Sequence, residues 1–182
     1  MRADAARNRA AILAATEALL DAEGPSVSTE AVAAEAGIGV GTVFRHFPTK
    51  QALLEAVVVR RLGHLTERAS GLAVDDGGDA LFEFFEHVVE QSARKRTLVH
   101  AMSALGIDVG ALMREAGAAF RAAVAELLTR AQASGVVRTD VEVDDVLDLL
   151  LALAHTSDQD RSPTDKQRRA LTVVLDGLRP PR

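Results

Sequence analysis

Six polar side chains between residues 28 and 50 could act together on one partner. Ser28, Thr29, Thr42, Arg45, His46 and Lys50 are donors and acceptors of the kinds that meet phosphate oxygens and base edges of nucleic acid. Arg45 alone among them can make a bidentate contact with guanine, and Thr42 offers a hydroxyl together with a methyl suited to thymine. Val40 can touch a thymine methyl too, and Gly41 would let backbone approach a duplex closely. A plainer reading stands beside each: Arg or Lys on a helix is usually solvated, and Ser before a helix is usually only its cap. Reaction chemistry is sparse elsewhere. The chain has no Cys, which excludes disulfides, thiolate metal sites and a Cys nucleophile. It has neither a Gly-rich phosphate loop nor a nucleophile elbow, and no His/Glu spacing suits zinc. Asp75-Asp76 and Asp144-Asp145 read as turn and cap residues. No enzyme, cofactor or metal site is expected.

The elements that would position these residues are short helices. Ile12, Leu13, Leu19 and Leu20 make an apolar stripe at helical spacing over residues 7–22. Gly24-Pro25 stops that helix. Ser28 can cap a second helix over 29–36, which buries Val32, Ala33 and Ala36 and ends at Gly37. A third helix spans 40–47, and Pro48-Thr49 breaks it and caps a fourth that starts near Lys50. Two short helices around Gly37-Ile38-Gly39 make a helix-turn-helix pattern, with Ile38 plugging the angle. Val43 and Phe47 would then point inward, while Val40, Gly41, Thr42, Arg45 and His46 face out. The same spacing also suits an ordinary packed helical corner.

Composition supports an all-helical protein. The chain has 182 residues, 48% apolar and only 3% aromatic, and is rich in Ala, Leu, Val, Glu and Arg. Residues 1–70 hold 8 basic and 8 acidic side chains, while the remainder hold 13 against 18, placing the net charge of −5 in the C-terminal part. Residues 71–79 form a small, acidic break between helices. Further helices are expected over 80–96, 97–105, within 111–134, over 144–154 and over 163–177, the last capped by Ser162 with Pro163 at its first position. No apolar run reaches ~18 residues and the N-terminus has no signal-peptide pattern, so the expectation is a cytoplasmic protein without a membrane partner.

The stretch from residue 9 to 57 resembles the N-terminal domain of the TetR family of bacterial transcriptional regulators. The likeness is carried by Ile12-Leu13-Ala14-Ala15, Leu19-Leu20, Gly24, Val32-Ala33, Ala36-Gly37-Ile38, Gly41-Thr42-Val43-Phe44, His46-Phe47, and Lys50 with Leu53-Leu54. It covers roughly residues 7–60; AQASGVVRTDVEVDDVLDLL is similar to a stretch before the dimerisation helices of many members. Three positions depart from the pattern. The family usually has Ser or Thr at Gly39, a polar or basic residue at Val40, and Tyr at Phe44.

The resemblance implies an all-α chain of about nine helices: a three-helix DNA-binding head over residues 1–50 and a ligand-binding and dimerisation body over 51–182. It implies a homodimeric repressor, released from a near-palindromic double-stranded operator by a small apolar effector. The DNA contacts would come from Ser28, Thr29, Gly39, Val40, Gly41, Thr42, Phe44, Arg45, His46 and Lys50. Arg2, Arg7 and Arg9 would add a flexible arm. Phe82, Phe85, Val88, Val89, Met102, Leu105, Met113, Phe120 and His155 are candidates for the effector pocket, although Met and Phe stripes usually form core. His155 could equally cap a helix, and His87 and His100 are further polar oddities. The dimer surface would use Leu147, Leu150, Leu151 and Ala154 with Leu171, Val174, Leu175 and Leu178, part of each stripe packing on its own chain. An alternative is a helical interaction module of the same fold that binds a protein.

Overall fold

Strong helix formers at most positions give helices and turns, with no strand among the described residues of the computed structural model. Those residues are 2–24, 26–74, 78–92, 102, 106, 117–155 and 165–181. They form eight helices: α1 (Arg2–Glu23), α2 (Thr29–Glu35), α3 (Val40–His46), α4 (Lys50–Leu72), α5 (Ala80–Ser92), α6 (Ala118–Ala133), α7 (Val143–His155) and α8 (Asp165–Leu178). The chain is therefore all-α, as composition and periodicity imply. The expected helix over 97–105, and Ser162 and Pro163 ahead of α8, lie outside the described residues, Met102 excepted.

Two compact units emerge, with a boundary inside α4 between Arg61 and Leu62. The N-terminal unit runs past residue 50 because the first turns of α4 belong to its core. Ile12, Leu13, Leu19 and Leu20 of α1 bury against Val32 and Ala33 of α2, Val43 of α3, Phe47, and Leu53, Leu54 and Val57 of α4. Each of the larger of these side chains contributes about 1.5–3 kcal/mol on burial. Thr16 is buried among them, where its Oγ1 donates to the Ile12 carbonyl at 2.7 Å. α1 begins at Arg2, earlier than periodicity implies. Ala3, Ala5 and Ala6 favour helix, and Arg7 pairs with Asp4 near the positive end of the helix dipole.

In the C-terminal unit α5 packs on α6, α7 and α8. Leu81, Phe84, Phe85 and Val89 of α5 meet a core that includes Phe120, Val124 and Leu127 of α6 and Val146, Leu150 and Leu153 of α7. The Phe84 and Phe120 rings lie 6.1 Å apart at 48°. α6 ends in a Schellman motif: Gly135 takes φ +73°, its N–H donates to the Gln132 carbonyl, and that of Val136 donates to Ala131. Gly78 lies against this turn so closely that a Cβ there would come within 2.5 Å of Ser134 Oγ. The Arg138 N–H closes the end of α8 by donating to the Leu178 carbonyl at 2.9 Å.

Candidate nucleic-acid interface

The turn between α2 and α3 is fixed by backbone hydrogen bonds. Gly37 takes φ +67°, its N–H donates to the Ala34 carbonyl at 3.1 Å, and the Ile38 N–H donates to Ala33 at 3.0 Å. This is a second Schellman motif, with partly buried Ile38 supplying its usual apolar contact. A side chain other than Gly would be strained at position 37. At the front of α2, Ser28 Oγ accepts from the Ala31 N–H at 3.1 Å, so its first demonstrable task is capping. Thr49 does the same for α4, accepting from the Ala52 N–H at 3.0 Å. α3 has no such cap: Gly39 makes no side-chain bond, and only its carbonyl accepts, from the Thr42 N–H at 2.8 Å and the Val43 N–H at 3.4 Å.

α3 is held from one side. Val43 and Phe47 are buried, and Arg9 of α1 lies over the Phe47 ring at 5.2 Å. Gly39, Gly41, Val40, Phe44 and Arg45 are exposed on the outward side, with Thr42 and His46 half-buried beside them. Val40 is 41% and Phe44 48% exposed, unusual for large apolar side chains. A Cβ at Gly39 or Gly41 would meet nothing within 4 Å, so neither glycine is required by internal packing. Ser28 and Lys50 are exposed and Thr29 half-buried. These three, with Thr16, border a void of about 10 Å³, room for about one water molecule. All ten candidate contact residues thus fall on α3, its ends, or the adjoining starts of α2 and α4. Arg45, however, folds back along its own helix: Nε donates to the Gly41 carbonyl at 3.2 Å and Nη2 to Thr42 Oγ1 at 3.0 Å.

Other expected site residues fare differently. The flexible arm of Arg2, Arg7 and Arg9 is corrected, since all three lie in α1 and Arg7 and Arg9 have partners within the unit. Met102 is buried in the core of the N-terminal unit. Phe82, Phe85, Val88, Val89 and Phe120 are buried in the C-terminal unit, with Arg179 stacked on Phe82 at 4.7 Å, and His87 is half-buried. Leu105, Met113, His100 and the side chain of His155 lie outside the described residues. Of the candidate dimer residues, Leu150 and Leu178 are buried within their own unit, as the part of each stripe that packs on its own chain. Leu151 stays 55% exposed, and Val173, absent from the expected set, is 71% exposed. Leu147, Ala154, Leu171, Val174 and Leu175 are half-buried.

Sequence reasoning missed an ionic cluster that ties α4 to α1. Glu17 lies 3.6 Å from Arg60 Nε and 3.8 Å from Arg61 Nε, and Arg61 Nη2 donates to Asp21 at 3.0 Å. Arg60 also donates to the Ala10 carbonyl at 2.9 Å. Glu17 and Asp21 sit one helical turn apart, a readable pairing signal, but nothing local points to partners some forty residues on. Among the described residues, no group of three or more His, Asp or Glu side chains could hold a metal ion, and no helix is long and apolar enough to cross a membrane.

Comparison with known proteins agrees with this architecture. Residues 12–57 match the family model for bacterial regulatory proteins of the tetR family. Residues 76–180 match the model for the C-terminal domain of SbtR-like transcriptional regulators. The HTH-type transcriptional regulator SAB2452 of Staphylococcus aureus is 31% identical over 107 residues, which is 57% of this chain and 58% of that protein's length. The regulator UidR of Escherichia coli K12 is 26% identical over 178 residues, covering 93% of this chain and 89% of that one. The crystal structure of a TetR transcription regulatory protein from Mycobacterium vanbaalenii superposes with a TM-score of 0.77 at 40% identity, covering 98% of this chain and 99% of the other.

Proposed function

Because the chain belongs to the TetR family of bacterial transcriptional regulators, we propose that it is a cytoplasmic, homodimeric repressor released from a near-palindromic operator by a small apolar effector. The observation that carries the DNA-reading part is the outward face of α3. It exposes Val40, Phe44 and Arg45 around two glycines that nothing inside the protein requires. In this reading α3 lies in the major groove, where Arg45 reads a guanine and Val40 and Thr42 meet thymine methyls. Ser28, Thr29, His46 and Lys50 hold phosphates, Lys50 at the positive end of α4, and Gly39, Gly41 and Phe44 border the backbone.

One head reads too few base pairs to single out a genomic site, so two copies act together. Exposed Leu151 and Val173, with the half-buried apolar residues of α7 and α8, support a helical interface between copies. The C-terminal unit takes the effector against Phe82, Phe85, Val89 and Phe120. Coupling of the usual size lowers operator affinity by roughly 5–150-fold. Selection of random genomic fragments by the full chain, at near-physiological salt, tests the reading. Enrichment of near-palindromes is expected. Binding that never rises above random duplex would leave the apolar Val40–Phe44 face to a protein partner instead.

A further inference from the structure

We propose that Thr42 is a positioning residue, which sets how Arg45 presents its guanidinium to a base. This inference rests on the reading of α3 as the base-contacting helix. Arg45 carries five N–H donors in a rigid planar fork. Two of them are engaged by α3 itself: Nε donates to the Gly41 carbonyl at 3.2 Å and Nη2 to Thr42 Oγ1 at 3.0 Å. Nε and Nη2 share one edge of the guanidinium, so both bonds use that edge. The outer pair, from Nη1 and the second hydrogen of Nη2, is left for another partner. That pair has the spacing needed to meet O6 and N7 of guanine together.

Both bonds are needed to fix the fork. The Gly41 carbonyl alone leaves the guanidinium free to swing about its Nε contact, whereas the added bond to Thr42 defines its plane. The exposed Arg45 side chain has four rotatable bonds, and these two acceptors restrain it. While Oγ1 accepts from Arg45, its own O–H remains able to donate to a base or phosphate. Thr42 thereby contributes to specificity through another residue as well as through its own methyl and hydroxyl.

The test compares the full chain with Thr42→Val, Thr42→Ser and Arg45→Ala on duplexes selected from a randomised library by the wild type. Arg45→Ala identifies the base pair that Arg45 reads, as the position where preference for guanine disappears. Thr42→Val keeps shape and helix propensity but removes the acceptor. It should lower the guanine preference at that pair roughly three- to tenfold, the effect of releasing one long side chain. Thr42→Ser should keep that preference to within about twofold. In Thr42→Val the loss should be concentrated at the pair that Arg45→Ala identifies, rather than spread evenly over the site. Full guanine preference in Thr42→Val, at a pair that Arg45→Ala abolishes, overturns the inference alone. Failure of the wild type to select any duplex sequence overturns it together with the DNA-reading proposal.

Discussion

Phe44 shows what a single position decides on α3. The residue is 48% exposed and lies on the outward side of α3, so a hydroxyl added to its ring should meet solvent or a duplex rather than the core. Phe44→Tyr should therefore leave thermal stability unchanged and tighten specific DNA binding by about 0.5–1.5 kcal/mol, one net hydrogen bond, in an anisotropy titration. Unchanged affinity would show that the ring never reaches the backbone. At this scale the sequence was informative where the partner is local. Helical spacing places Val43 and Phe47 inward and Arg45 outward, and the residue types at 28, 37 and 49 announce two caps and a turn. It did not reveal that Arg45 lies along its own helix, because an Arg three residues after a Thr is equally compatible with an extended side chain.

Between elements, ionic contacts carry information that no local pattern contains. Glu17 is shared by Arg60 and Arg61, with side-chain exposures of only 13–27% for the three, which limits screening. Glu17→Gln removes the charge that the two guanidiniums face. It should destabilise the chain by about 1–3 kcal/mol in urea unfolding, most of it the cost of poorly paired donors. A variant as stable as wild type would mean that solvent replaces the carboxylate fully. The loop after α6 gives a pH dependence. Two hydrogen bonds from Arg138 hold the Asp140 carboxyl at about 2, below its ordinary value, and Arg121 of α6 lowers Asp144 of α7 in the same way. A depressed folded value stabilises at pH above the unfolded value of about 4 and is lost as pH falls toward 2. Both pairs are exposed, so the effect is modest and weakened by salt. Melting curves from pH 5 to 2 should fall less steeply for the Asp140→Asn, Asp144→Asn variant than for wild type. Helix ends were legible wherever a capping side chain or Gly marks them. The facing of α7 and α8 was not, since one apolar stripe serves both the chain's own core and any outer surface.

For the whole molecule that division of the stripe determines which substitutions report on assembly. Leu150 and Leu178 are core, so charges there should unfold the chain. Leu151→Glu with Val173→Glu, at exposed sites, should instead give a folded monomer in sedimentation, with helical content retained and specific DNA binding lost. A charge in an apolar interface costs several kcal/mol unless paired. A dimer that survives both charges would place the contact elsewhere. The family as a whole was legible from roughly a third of the chain, where apolar, Gly, aromatic and Lys positions fall in register. A pocket for the proposed effector was not, because buried Phe82, Phe85 and Phe120 read the same whether they fill a core or line a pocket.

The one-sided attachment of α3 bears on how such a protein diverges. Val43 and Phe47 anchor the helix, and positions 39, 40, 41, 44 and 45 are exposed, with no Cβ clash at either glycine. Substitutions on that face carry little folding penalty, so they can change what the face contacts without unfolding the head. After gene duplication, a copy could drift toward a new target sequence while its scaffold stayed intact. Gly37, on the turn itself, has no such freedom.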